Sequence, residues 1–189
     1  MYSRRVRVLA HAVARLIPAH ARVLDVGCGD GVIDTLILAH RPDVTLEGVD
    51  VKARADATMA VRSFDGLHLP HPDDAVDAVL MIDVLHHARD PEALLKEVAR
   101  AAPLVILKDH VLSGLLAGPT LRFMDWLGNA RHGVESPGSY WTEAQWREAI
   151  GRAGLRVTIW ERKVPLYPWY ASWVFGRSLH VIASLERAR

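Results

Sequence analysis

"VLDVGCGDG", residues 23–31, runs a short apolar segment carrying one acid straight into three glycines at alternate positions. An apolar run of this length that stops at glycine reads as a buried strand ending in a tight turn. Glycine tolerates positive φ and lets a ligand touch the backbone. The segment after the turn, "GVIDTLILAH" (31–40), reads as a helix whose first N–H groups lack intrahelical partners. A polar ligand can therefore lie against this edge of a sheet, outside the carboxyl ends of its strands.

Working outward, strand and helix patterns keep alternating. Residues 4–17 read as an amphipathic helix with Val8, Ala12 and Leu16 on one stripe, ended by Pro18. "VTLEGVD" (44–50) is a second strand, and "AVDAVLMID" (75–83) a third, apolar enough to be buried on both faces. "DPEALLKEVARAA" (90–102) is a helix with Asp90 as N-cap and Pro91 in its first turn; "PLVILKD" (103–109) is another buried strand. The rhythm breaks over 111–140, where glycines and prolines leave room for one or two short helices. It resumes with a helix at 141–154, Thr142 as N-cap and Gly154 as C-cap, then strands at 155–161 and 178–186. This alternation predicts an α/β fold with a mostly parallel sheet and helices on both faces.

The chain has 189 residues, which suits one domain, 1–189, with 111–140 as an insertion or lid. A net charge of +1, with 19 of 23 basic residues being scattered arginines, makes no electrostatic bid for nucleic acid or anionic membrane. One cysteine, Cys28, excludes an internal disulfide and fits a reducing, cytoplasmic compartment. The N-terminal residues lack a signal-peptide pattern, and no run of 18 apolar residues occurs. Eleven of the 13 aromatic residues follow position 120, including all six Trp. Either they fill one end of the core, or they build an apolar pocket or lid.

The glycine spacing is G-x-G-x-G. A dinucleotide fingerprint needs G-x-G-x-x-G, and here position 32 is Val, so a nicotinamide dehydrogenase is disfavoured. Asp50, at the end of the second strand and 19 residues past Gly31, is placed to accept two ribose hydroxyls. Asp65, in "FDGLHLP" (64–70), is placed to receive an exocyclic amino group of adenine.

Together "VLDVGCGDG", "EGVD", "FDGLHLP" and "AVDAVLMIDVLHHARDPEALLKEVAR" resemble class I S-adenosylmethionine-dependent methyltransferases, in particular the small-molecule and quinone-biosynthesis group. The resemblance covers residues 20–110 by motif and the closing strands by layout. It implies a doubly wound seven-stranded sheet, a three-layer α-β-α sandwich, with the last strand antiparallel between its neighbours. It implies that Asp25 and the backbone of Gly27, Cys28 and Gly29 hold the methionine end of S-adenosylmethionine. Asp50 would meet the ribose, with Val51 also at the cofactor, Asp65 and Gly66 the adenine, and Ile82 and Asp83 the sulfonium. Relatives often end the helix before the fifth strand in "LKPGG"; here "ARAAPLVILKDH" replaces it, so the substrate side transfers less directly.

Methyl transfer from a sulfonium needs donor and nucleophile held in line, with a base for an oxygen or carbon acid. Strand ends "IDVLHH" (82–87) and "LKDH" (107–110) supply the candidates. His110 is the expected general base, with Asp109 orienting it or touching substrate; His86 is a candidate substrate contact. Two strand-end carboxylates, Asp83 and Asp109, are too few for a hard-cation site, so no metal is expected. Trp126 and Asn129, in "LRFMDWLGNARHG" (121–133), are expected over the acceptor. The expected acceptor is a small apolar molecule, such as a lipid, quinone precursor or phenol. An Asn/Asp-Pro-Pro-aromatic run that would grip a flipped base is missing after the fourth strand, and the only cysteine lies in the turn, so nucleic acid is not an expected partner. A non-catalytic cofactor-binding partner protein remains the alternative.

Overall fold

The computed structural model describes residues 3–188 except 53, 55, 130–139 and 177, and leaves aside the side chains of 125–129 and 173. Its centre is a seven-stranded sheet. The strands are β1 (Arg22–Val26), β2 (Thr45–Asp50), β3 (Val61–Ser63), β4 (Ala78–Ile82), β5 (Leu104–His110), β6 (Leu155–Glu161) and β7 (His180–Arg187). Their spatial order is β3-β2-β1-β4-β5-β7-β6. β1 to β5 pair in parallel, and β7 runs antiparallel between β5 and β6, as the resemblance implies.

The pleat of β4 explains the layering. Successive side chains alternate faces, and all five β4 residues are buried. Val79 and Met81 pack with Leu94, Leu95 and Val98 of α3 (Pro91–Ala101) and with Trp146 and Ile150 of α5 (Glu143–Arg152). Leu80 and Ile82 pack with Leu9 and Val13 of α1 (Arg4–Ala14) and Ile37 of α2 (Val32–His40). Helices on both faces explain why the strand sequences are continuously apolar.

Local signals set most boundaries. The Asp90 side chain accepts from the Ala93 N–H, with Pro91 in the first turn. Thr142 and Gln145 close a capping box, and Gly154 leaves α5 at φ +74°. One expectation is corrected, and one strand had no sequence signal. The buried stripe of α1 is Leu9, Ala10, Val13 and Ala14, one residue on from Val8, Ala12 and Leu16, which stay partly buried at its edge. β3, three residues long and mostly exposed, carries too weak a pattern to be expected. The segment after β5 contains α4 (Ala117–Asn129), and the stretch before β7 forms a helical turn at Trp169–Ala171 that runs into a wider turn at Ser172–Gly176. No helix among the described residues is long and apolar enough to cross a membrane.

Candidate active site

The glycine turn sits where the sheet order reverses, at the carboxyl ends of β1 and β4. Gly27 and Cys28 both donate backbone N–H bonds to the Val49 carbonyl, at 2.7 and 3.2 Å. Gly27 takes φ +79°, and a Cβ there would stand 2.5 Å from Cγ2 of Val84. Only glycine satisfies both demands. Cys28 turns its side chain behind the turn, where a Cβ on Gly48 would meet its Sγ at 2.5 Å. Burial, then the carboxyls of Asp25, Asp34 and Asp50, push its thiol pKa up. Cys28 is thus an inert packing residue, and its N–H is spent on the Val49 carbonyl.

Asp50 closes the turn: its Oδ2 accepts the Gly29 N–H at 2.8 Å and its Oδ1 accepts the Lys52 N–H at 3.0 Å. Each carboxylate oxygen keeps a lone pair for a ligand hydroxyl. Val51 is exposed, and a Cβ on Gly66 would stand 3.1 Å from its Cγ1, so these two residues form one wall. Asp65 is exposed and committed to its own loop. Its Oδ1 accepts from the Leu67 and His68 N–H groups, at 2.8 and 2.6 Å, and its Oδ2 lies 2.7 Å from His68 Nδ1. The loop after β2 adds contacts that no motif announced: the Thr58 N–H and hydroxyl both donate to the Asp30 carbonyl, and Met59 covers Gly31.

A second cluster lies at the carboxyl ends of β4 and β5. Asp83 follows β4 at φ +58°, an uncommon conformation for aspartate. Its carboxylate is fixed from both sides, Oδ2 by Arg5 of α1 at 2.7 Å and Oδ1 by Lys108. Burial would raise the Asp83 pKa, but the Lys108 and Arg5 cations outweigh it and hold it well below the usual carboxylate range. Lys108 is fully buried; burial pulls its pKa down against the pull of Asp83. Leu85, His86 and His87 form a single helical turn after Asp83. That turn brings His86 Nδ1 to 2.6 Å from Asp109 Oδ1, while the Leu85 N–H donates to Asp109 Oδ2 at 3.0 Å. Both partners of this pair are buried.

This corrects the expected pairing. Asp109 orients His86, not His110. The His110 Nδ1 lies 3.9 Å from Asp109 and 3.4 Å from Asp83, without a hydrogen bond among the described residues. The Asp109 Oδ1 that meets His86 also accepts the His110 backbone N–H at 2.7 Å, so its hydrogen bond to that residue runs to the main chain and not to the ring. Burial, then Lys108, lowers the His110 pKa to about 4, so it is neutral and weakly basic at neutral pH. The Trp146 indole fixes its backbone by donating to the His110 carbonyl at 2.9 Å.

Sequence reasoning missed Arg5, Tyr140 and His180. The Tyr140 ring stacks on His86 at 5.9 Å, and His180, the register partner of His110, meets it edge-on at 5.0 Å. A histidine inside the apolar run "SLHVIASLE" was the available signal for His180. Arg5 lies on a terminal helix far from any motif. Trp126 and Asn129 fall in α4, with side chains outside the described residues.

Asp83, His86, Asp109 and His110 bring one ligand atom each within 4.8 Å of one another. A divalent cation would have to displace the Lys108 and Arg5 cations from Asp83 and the His86 ring from Asp109. Cation and carboxylate charge are already matched inside the cluster.

These two clusters sit on the fold of the class I S-adenosylmethionine-dependent methyltransferases, and comparison with known proteins agrees. A family model of the methyltransferase domain matches residues 1–158, and the chain belongs to that family. It is 29% identical to the 27-O-demethylrifamycin SV methyltransferase of Amycolatopsis mediterranei over 107 residues, 49% of this chain and 39% of that protein. It is 30% identical to the tRNA (carboxymethyluridine(34)-5-O)-methyltransferase of Schizosaccharomyces pombe over 130 residues, 65% of this chain and 50% of that protein. The aligned regions thus span half or less of these relatives' lengths. The methyltransferase in the complex with the Haloferax volcanii Trm112 methyltransferase activator superposes with a TM-score of 0.72 at 19% identity, covering 98% of this chain and 91% of that one.

The residues present fit S-adenosylmethionine as the cofactor. Asp25 Oδ1 is buried at the end of β1 without a hydrogen-bond partner among the described residues, which leaves an acceptor for a cationic group. The glycine turn excludes Cβ atoms from the cradle floor, and Asp50 carries spare acceptor capacity beside it.

Proposed function

We propose that the protein transfers the methyl group of S-adenosylmethionine, by in-line displacement, to a small and largely apolar acceptor, with His86 taking the acceptor's proton. The observation that carries this reading is the buried His86–Asp109 pair at the β4 and β5 ends, beside the cofactor cradle. When bound, S-adenosylmethionine supplies an activated methyl on a sulfonium, so the protein's work is orientation and proton removal. Asp109 holds the His86 ring by Nδ1, which makes Nε2 the basic nitrogen and stabilises the imidazolium that forms. Tyr140, His110 and His180 supply a wall of rings around it. Asp83 is held by Arg5 and Lys108, which fixes the end of β4 next to Val84 and Gly27.

The small-molecule reading draws support from the rifamycin-modifying relative and from the exposed Trp169 and Tyr170 ahead of β7. α4 is assigned to cover the acceptor. The test is methyl transfer from labelled S-adenosylmethionine to a panel of phenols, quinols and lipids, with bulk tRNA as the competing acceptor because one relative modifies tRNA. Labelling of a small apolar acceptor is expected. Labelling of tRNA alone overturns the acceptor class. Binding of S-adenosylhomocysteine with transfer to no acceptor favours a cofactor-binding partner protein.

A further inference from the structure

α2 carries an acid in the wrong place for a surface helix. Asp34 stands in its first turn, where carboxylates ordinarily face water and complement the helix dipole. Here it is fully buried, and neither of its oxygens has a hydrogen-bond donor among the described residues. The side chain it meets at hydrogen-bonding range is Asp25 of β1, only 2% exposed, whose Oδ1 also lacks a donor among the described residues. A buried carboxylate without a donor is costly. Between two carboxyls the one available donor is a proton held by either of them.

The surroundings favour keeping that proton. Asp30 of the turn and Asp50 of β2 add negative charge, and Cys28 supplies only a neutral thiol. The flanking strand partners of Asp25, Gly48 and Leu80, bring no charge. Arg54 stands at Gly29, 3.7 Å from where a Cβ would be, and is not among the charges that act on either carboxyl. Like charges this close share a proton rather than both ionising. Accordingly burial, then Asp34, raises the Asp25 pKa well above the usual carboxylate range, and burial raises that of Asp34 to about 6.

We propose that Asp34 is the second half of a proton-sharing carboxyl pair with Asp25, and that the cofactor's α-ammonium replaces the shared proton, so that each molecule bound releases one proton. Asp34 is then a positioning residue acting through Asp25. This rests on the reading of the turn as the S-adenosylmethionine cradle. The proton leaves to solvent, the ammonium takes its place, and the pair ends with a fixed cation. Cofactor affinity thereby acquires a dependence on pH that the sequence motif alone does not supply.

Titration calorimetry with S-adenosylhomocysteine, run near pH 6 in buffers of different ionisation enthalpy, measures the proton count. About one proton released per ligand is expected, with affinity rising about tenfold per pH unit below the pair's titration and levelling above it. Methylthioadenosine has the same adenosine and thioether but no ammonium; it is expected to bind without release. Asp34→Asn, whose amide can donate to Asp25, should abolish the release, and the pH dependence of affinity should disappear with it. Binding of S-adenosylhomocysteine without proton release by the unaltered protein overturns the proposal, as does equal release with methylthioadenosine. Those two results need no variant to fold. No binding of S-adenosylhomocysteine at any pH overturns the cofactor reading itself.

Discussion

The glycine turn, proposed as the cofactor cradle, and the strand-end cluster, proposed as the acceptor side, share the same sheet edge but are shaped by different materials. The cradle is mostly backbone: positive-φ glycines, N–H groups pinned to Val49, and one carboxylate closing the turn. The acceptor side is mostly side chains: two cations, two carboxylates and a set of rings drawn from α1, β4, β5, β7 and the loop before α5. A backbone site fails when a Cβ is added. A side-chain site fails when one charge or one nitrogen is removed. The two should therefore separate cleanly under mutation, one in cofactor affinity and the other in turnover.

The largest effect falls on the acceptor side. His86→Gln is expected to lower turnover by about 10²- to 10⁴-fold while leaving S-adenosylhomocysteine affinity within about twofold. Burial and Lys108 keep His110 neutral down to about pH 4, so the His86 reading predicts an acid limb of the pH–rate profile that does not come from His110. His110→Asn should keep that limb and His86→Gln should remove it. The opposite outcome would restore His110 as the base.

Next comes stability. Asp83→Asn leaves Lys108 as a buried cation without its counter-ion, which costs about 3–5 kcal/mol in denaturant unfolding. The sign with pH follows from the lowered Asp83 pKa. Its stabilisation is complete above the ordinary carboxylate pKa and is lost as pH falls through its own lower value. The variant should therefore lose stability most at neutral pH, and the gap from wild type should close in acid. A constant gap down to strong acid would show that Asp83 does not carry the Lys108 charge.

On the cradle side, Gly27→Val forces a side chain into Val84 at φ +79°. Strain of about 3 kcal/mol corresponds to about a hundredfold loss of S-adenosylhomocysteine affinity. Equal losses in kcat at saturating cofactor would show the two sites to be coupled through Val84 rather than separate.

This difference in material also explains what could be read from the chain. The cradle is contiguous: Asp25 to Gly31 specify strand, turn and helix start within one motif, and Asp50 follows at the next strand end. Its packing details were less visible, since nothing near Thr58 or Met59 marks them as covers. Asp34 looks like an ordinary first-turn acid until its burial is seen. On the acceptor side the strand ends were legible, because Asp83, His86, Asp109 and His110 sit in two short runs. The pairing between them was not. It depends on the helical turn after Asp83, which swings His86 back to Asp109 and leaves His110 Nδ1 3.9 Å from that carboxylate. Arg5 was out of reach altogether, because only the docking of α1 brings it 78 positions along the chain to Asp83.

The smallest expected effects test the aromatic second half of the chain. Trp146 is buried, but Trp169 is 86% and Tyr170 65% exposed. Residues so exposed bury little apolar area, so the double change Trp169→Ser, Tyr170→Ser should move unfolding free energy by less than about 0.5 kcal/mol. If these rings form the rim that receives an apolar acceptor, the same change raises KM for that acceptor by about three- to tenfold, in keeping with about 1 kcal/mol of lost apolar contact. Trp126→Ala and Asn129→Ala in α4 should act in the same direction, weakening acceptor use with cofactor affinity intact. The contrast with His86 is what makes the test sharp: a rim residue shifts KM and spares kcat, whereas the base shifts kcat. Loss of stability in the Trp169/Tyr170 variant would assign these rings to the core instead, and unchanged kinetics throughout would place the acceptor away from this face.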